Sequence, residues 1–259
     1  MTELPLVSII TPSFNQSRFL EAAIGSILSQ DYPRIEYIIV DGGSSDGSVD
    51  IIKKYEPKLG WWVSEKDAGQ TDAINKGFSR AEGQIFAWLN SDDTYEPRAV
   101  SRAVGFLRDH SSVGMVYGDA NYINEEGNIL GKFPAAQTDD HRLRQGYVHI
   151  PQQAAFFKGD LWRSVGPLDP TFYFAMDYDL WRRLAKLTTI HYWKGEVLAN
   201  FRIHPGGKSF IADDRCWPEM LRVHYREGGS FFSIIVFRYY LRKVLAPFWN
   251  WYKWRRINL

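Results

Sequence analysis

Four short apolar, β-branched runs, each ending in a cluster of Asp, Asn, Gly or Ser and each followed by a helical pattern, constrain the fold most. Leu6–Thr11 is the first, ended by Pro12 and running into Ser13-Phe14-Asn15. Behind it Arg18–Gln30 places Phe19, Leu20, Ala23, Ile24, Ile27 and Leu28 at helical period. Ile35–Val40 leads into Asp41-Gly42-Gly43-Ser44-Ser45-Asp46, then a short helix over Val49–Tyr55 entered through Ser48. Gly60–Ser64 leads into Glu65-Lys66-Asp67-Ala68-Gly69 and a helix over Thr71–Ala81. Gln84–Leu89 leads into Asn90-Ser91-Asp92-Asp93, with a helix over Pro97–His110. Alternation of this kind predicts an α/β fold, a mostly parallel open sheet flanked by helices. Such sheets bind ligands beyond the carboxyl ends of their strands. Any one of these loops is ordinary turn chemistry. Four on one rim point to a site.

Past Val113–Tyr117 the pattern becomes mixed and loop-rich, with extended segments near Ala154–Lys158 and Ile190–Trp193 and a short helix over Asp177–Lys186. With 45% hydrophobic and 15% aromatic residues, the 259-residue chain can bury a core, which excludes disorder. A single cysteine, Cys216, excludes a disulfide framework. The first residues carry no basic stretch and no long apolar run, so no signal peptide is expected, and no segment has the length of a membrane span.

The net charge of +1 hides an asymmetry. Residues 231–259 hold six of the 31 basic residues, none of the 30 acidic ones, and ten aromatics. The body is therefore mildly acidic and the tail basic. Pro247 is expected to split the tail into two helical pieces. Trp249, Trp251, Tyr252 and Trp254 with Lys253, Arg255 and Arg256 fit a peripheral anchor facing anionic lipid, or equally an arm packed on the body or on another subunit. Nucleic acid is not expected as a partner, because the body is acidic. The expected location is cytoplasmic, peripheral on the inner face of the membrane.

A rim of carboxylates repels phosphate unless a divalent cation lies between them. Mg²⁺ or Mn²⁺ takes one or two carboxylates and completes its shell with phosphate oxygens and water. Asp92-Asp93 suits such an ion, though the same pair could cap the helix near Pro97. No Gly-x-Gly-x-x-Gly follows the first strand and no Gly-x-x-x-x-Gly-Lys-Ser/Thr occurs, which argues against a dehydrogenase and against a P-loop enzyme.

Val7-Ser8-Ile9-Ile10-Thr11-Pro12-Ser13-Phe14-Asn15, Ile39-Val40-Asp41-Gly42-Gly43-Ser44-Ser45-Asp46-Gly47-Ser48 and Leu89-Asn90-Ser91-Asp92-Asp93 resemble, in order, the motifs of family 2 glycosyltransferases. Ser64-Glu65-Lys66-Asp67-Ala68-Gly69 with Asp72-Ala73-Ile74-Asn75-Lys76-Gly77 resembles the segment linking them. The resemblance spans about residues 5–210. It implies a GT-A nucleotide-diphospho-sugar transferase fold and inverting transfer from a UDP-sugar, or a dTDP-sugar, to a glycan or lipid-linked glycan of a surface polysaccharide. By the same resemblance Thr11, Pro12 and Asn15 border the nucleotide, Asp41 accepts a hydrogen bond from the base, and Glu65 and Asp67 line that pocket. Asp92 and Asp93 stand at the metal motif, one near ribose or sugar hydroxyls and one on the metal, with Asn90 where the plain Asp-x-Asp form has its first acid.

Phe174-Ala175-Met176-Asp177-Tyr178-Asp179-Leu180-Trp181-Arg182-Arg183 resembles the segment carrying the general base. Met176 replaces the usual Glu, so the resemblance assigns the base to Asp177. Asp179 reads as a structural partner of Arg182 or Arg183. In Arg202-Ile203-His204-Pro205-Gly206-Gly207-Lys208-Ser209, similar to a late family motif, His204 could meet the metal or the diphosphate and Lys208 could neutralise phosphate. Amides at Gln152 and Gln153 are candidates to meet sugar, and so are the faces of Trp162, Trp181 and Tyr173, although core packing is the more usual use of any one of them. The expected organisation is a catalytic domain over 1–226, its nucleotide half near 1–118 and its acceptor half near 119–226, then the tail over 227–259. A nucleotidyltransferase and an inactive sugar-nucleotide-binding module are the alternative readings.

Overall fold

The computed structural model describes residues 3–208 and 216–257, with side chains as far as residue 245. Strands β1 (Val7–Ser13), β2 (Ile35–Asp41), β3 (Trp61–Ser64) and β4 (Ile85–Trp88) alternate with helices α1 (Ser17–Leu28), α2 (Ser48–Tyr55) and α3 (Gln70–Arg80). The short strand β5 (Thr94–Tyr95), helix α4 (Ala99–Asp109), the long strand β6 (Val113–Ile123), β7 (Ile129–Lys132) and α5 (Asp140–Arg144) follow. The remainder is β8 (Ala155–Lys158), α6 (Gly159–Val165), α7 (Met176–Ala185), β9 (Thr189–Arg202), α8 (Cys216–Arg226) and α9 (Ile234–Ile257).

The strands join one sheet in the order β3-β2-β1-β4-β8-β6-β9-β5, with β7 hydrogen-bonded to β6. Its first four strands are mutually parallel. Beyond β4 the sheet is mixed. β8 runs antiparallel to both β4 and β6, while β6 and β9 are parallel to each other. Because two antiparallel steps restore direction, β6 and β9 end on the same edge as β1 to β4. That brings Tyr122 and Phe201 to the rim that carries the acidic loops.

Side-chain alternation builds two cores, one on each face. Val7 and Ile9 of β1, with Ala87 and Leu89, pack beneath α1 and α4, while Ile10, Phe86 and Trp88 face α3, α6 and α7. Gly77 lets α3 approach β1, since a Cβ there would overlap the Ile10 side chain.

Two sequence expectations change. β1 does not stop at Pro12, which stays in register with Val40 of β2. Ile10 turns its carbonyl toward β4 and accepts from the Leu89 N–H at 2.9 Å, so Pro12, two residues on, faces the same side after that pairing has ended. Its missing N–H costs no ladder bond. Nor does Pro247 divide the tail, because α9 is one helix from Ile234 to Ile257. The tail side chains singled out above, Trp249 to Arg256, lie outside the described residues. No helix among the described residues is long and apolar enough to cross a membrane.

Candidate active site

A cavity of about 1220 Å³ opens along the carboxyl edge of the sheet. Its walls come from the end of β1 and the loop beyond it (Pro12, Ser13, Phe14, Gln16), the loop after β2 (Gly42, Gly43), the loop from β3 into α3 (Lys66, Asp67, Gly69, Gln70) and the loop after β4 (Asn90, Ser91, Asp92). The start of α7, the end of β9 and the loop from Ile203 to Lys208 close the other side.

Several expected residues shape these loops rather than line the cavity. Asp41 is fully buried, and its carboxylate accepts from the Gly43 and Ser44 N–H groups (3.1 and 2.9 Å) and from the Ser44 and Ser64 hydroxyls (2.6 and 2.7 Å). These four donors match the acceptor capacity of a carboxylate. Asn15 adopts the left-handed region at φ 50° and accepts from Ser45 N–H at 2.9 Å, tying the first loop to the second. Burial works against ionisation of Asp46, yet hydrogen bonds from Ser48 and the Ser17 backbone hold it down at about 2. Thr11 is buried and accepts from the Tyr37 hydroxyl at 3.1 Å. Glu65 is exposed and pairs with Lys76 at 2.6 Å. Of the residues expected around the nucleotide, Pro12, Asp67 and Asp92 line the cavity. Burial pushes the Asp67 carboxyl above its ordinary range.

The adjacent acids after β4 divide sharply. Asp92 lines the cavity, and its Oδ2 lies 3.0 Å from His204 Nε2. Asp93 is fully buried and accepts from Arg202 N–H (2.9 Å) and the Asn90 amide (3.2 Å). Burial, then the neighbouring Asp92, pushes its carboxyl well up. The sequence left open which of the two acids meets a metal; in the structure Asp93 braces β9 against the β4 loop, and Asp92 is the one that faces the cavity. A carboxylate and an imidazole on one wall fit a Mg²⁺ or Mn²⁺ ion that draws its other oxygens from diphosphate and water. Among the described residues no group of three His, Cys, Asp or Glu comes together.

Asp177 stands in the first turn of α7 and lines the cavity. Burial raises its pKa, opposed by the Tyr178 N–H and by the Lys208 ammonium. Lys208 is pushed down to about 8 by burial, with Asp177 pulling the other way. A proton acceptor and an ammonium thus face one space. Trp181 and Trp162, offered as sugar platforms, are core residues: Trp181 is fully buried and stacks on Trp88 at 5.4 Å, and Trp162 packs on Phe78 at 4.5 Å. Tyr173 lines the cavity, 49% exposed, with the Lys208 ammonium 4.2 Å from its ring centre. Asp179 pairs with Arg183 at 3.1 Å and with Arg226.

Two contributions were not legible in the motifs. Glu219 of α8 accepts from the N–H groups of Tyr173 (3.0 Å), Phe174 (2.7 Å) and Ala175 (3.0 Å), capping the helix that presents Asp177. Lys208 donates to Gln70 at 2.7 Å, and Gln70 donates to Asn90 at 2.7 Å, so the late loop is tied to the β4 loop. Gln153, which the sequence did suggest, is buried at the wall, and its amide nitrogen has no partner among the described residues. Ser13 Oγ is likewise unpaired.

The family model "Glycosyl transferase family 2" matches residues 8–165, more than half of the chain. The chain belongs to glycosyltransferase family 2. An uncharacterized glycosyltransferase of Mycobacterium tuberculosis is 34% identical over 188 residues, covering 71% of each chain. A putative teichuronic acid biosynthesis glycosyltransferase of Bacillus subtilis is 33% identical over 150 residues, 56% of this chain and 59% of its own. Among solved structures, S. aureus TarS 1-349 in complex with UDP-GlcNAc superposes with a TM-score of 0.68 at 17% identity, covering 88% of this chain and 67% of that one. The mannosyltransferase PcManGT of Pyrobaculum calidifontis, in complex with GDP-Man and Mn²⁺, gives 0.65 at 21%, covering 93% and 71%. At these identities the likeness establishes the GT-A fold.

Proposed function

We propose that this family 2 glycosyltransferase inverts the anomeric centre of a nucleotide-diphosphate sugar, UDP-linked or dTDP-linked, as it passes the sugar to a hydroxyl of a glycan or lipid-linked glycan in surface polysaccharide synthesis. The observation that carries this is the meeting of Asp92, His204, Asp177 and Lys208 on one cavity. Relatives named for teichuronic acid synthesis and for complexes with UDP-GlcNAc and GDP-Man support the substrate class.

Asp92 and His204 would hold a divalent ion, which when bound offsets charge on the departing diphosphate. Lys208, tethered to Gln70, adds a cation beside the same phosphates. Asp177, held by the Glu219-capped turn, accepts the proton of the attacking hydroxyl. With one base and no covalent carrier, displacement from the opposite face inverts the centre. Gln153 and Ser13 offer unpaired polar groups to sugar hydroxyls. Asp41, Asn15 and Thr11 serve by fixing the loops that border the nucleotide half, near 1–118, against the acceptor half, near 119–226. The tail over 227–259 supplies a basic, aromatic helix suited to peripheral contact with anionic lipid at the inner membrane face.

Release of the nucleoside diphosphate, UDP or dTDP, from a panel of UDP- and dTDP-sugars tests the reading. Asp177→Asn should keep donor affinity and lose about 10²–10⁴-fold in transfer, the usual worth of a general base. Unchanged transfer would remove Asp177 from its role.

A further inference from the structure

The cavity, at about 1220 Å³, exceeds the roughly 300–1,000 Å³ usual for one small ligand. The nucleotide loops occupy its β1–β3 side, with Asp92 near the middle of the rim. On the far side, Tyr122 of β6 and Phe201 of β9 stand directly opposite each other in the parallel register. Their ring centres are 5.8 Å apart. Phe133, just past β7, places its ring 5.8 Å from Tyr122, anchored by its N–H to the Ala120 carbonyl at 2.8 Å. All three are partly exposed and line the cavity, and Val148 and Ile150 continue the wall. None of these five side chains is charged.

We propose that Tyr122, Phe133 and Phe201 form the acceptor subsite and take a neutral pyranose by its apolar C–H face. This rests on the transferase reading given above. A pyranose carries its hydroxyls around the rim and its slightly positive C–H groups on its faces, and an aromatic face is negative. Seated there, the ring keeps its hydroxyls free for the unpaired Gln153 amide nitrogen, and one can turn toward Asp177, all on the same cavity. A uronate or phosphate against this wall would lose hydration without a partner. The mixture of aromatic faces with amides suits an amphipathic ring better than a hydrocarbon chain.

Saturation-transfer NMR on the full chain decides the matter, using methyl β-glucoside, methyl β-galactoside, methyl N-acetyl-β-glucosaminide, methyl β-glucuronide and octanol as probes, with and without UDP and Mn²⁺. Tyr122→Leu and Phe201→Leu keep apolar volume and remove the ring faces. Neutral glycosides should receive saturation concentrated on ring C–H protons, roughly fivefold weaker in either variant. The glucuronide should be weak, and UDP affinity should stay within about twofold in both variants. Equal saturation in the variants, a glucuronide signal matching the neutral sugars, a response from octanol alone, or silence from every glycoside would each overturn the proposal. If UDP fails to bind the unaltered protein, the nucleotide reading falls, while the nucleotide-free arm still decides the aromatic wall.

Discussion

Lys208 gives the sharpest pH prediction. Burial presses its ammonium down to about 8 from an ordinary 10.5, against the pull of Asp177 and Glu219. If the charge is what serves the diphosphate, kcat/KM must follow the protonated fraction of the free enzyme. That fraction is about nine-tenths at pH 7, half at pH 8 and one-tenth at pH 9, because each pH unit past the pKa costs tenfold. Activity should therefore fall about tenfold between pH 7 and pH 9 along a limb centred near pH 8. On the acid side activity should be lost as Asp177 takes up a proton, above the ordinary aspartate range, since burial raises its pKa. Lys208→Arg keeps a cation that stays charged throughout, so its alkaline limb should disappear while the acid limb remains. The assay is initial UDP release at low donor concentration in buffers from pH 4.5 to 9.5. A flat profile above pH 7 in the unaltered chain, or an unmoved limb in Lys208→Arg, would refute the assignment.

Other substitutions probe separate parts of the account. Glu219→Ala leaves three backbone N–H groups at the start of α7 without their carboxylate. It should cost about 1–3 kcal/mol in denaturant unfolding and lower kcat with little change in donor affinity; an unaltered kcat would show that the cap does not position Asp177. Gly77→Ala forces a methyl into Ile10 where α3 meets β1. It should destabilise the fold by about 1–3 kcal/mol, measured by the shift in unfolding midpoint, and neutral stability would contradict the packing. Asp93→Ala removes the buried acceptor of the Arg202 N–H and of the Asn90 amide rather than an ion-facing group, so it should lower unfolding stability while leaving Mn²⁺ affinity within about threefold; a loss of metal binding as large as that of Asp92→Asn would contradict its bracing role.

The first half of the fold was legible because each strand announces itself by a β-branched run and each crossover by a helical period. Val7–Ser13, Ile35–Asp41 and Ile85–Trp88 fall within a residue or two of where the pattern places them. The second half was not, since its long strands are built from residues such as Gly118, Asp119, Asn121 and Asn200, whose types suggest turns. Their pairing is decided by neighbours far away in sequence, as in the 3.0 Å bond between the Asn121 and Asn200 amides. The same limit governed the site. Motif order put Asp92, Asp177, His204 and Lys208 at the rim, but only the turn geometry after β4 separates Asp92 from buried Asp93. Trp181 looked like a platform because an aromatic in a family motif carries no mark of which helix face it occupies. Glu219 and the Tyr122–Phe133–Phe201 wall had no sequence signal, because both arise from contacts between distant segments.

Calorimetric titration of UDP into the protein, with and without Mn²⁺, and again in Asp92→Asn and His204→Ala, tests the central claim most directly. Mn²⁺ should strengthen UDP binding in the unaltered chain, and either substitution should abolish most of that gain. UDP affinity that ignores Mn²⁺, or a gain that survives the loss of both Asp92 and His204, would contradict the claim.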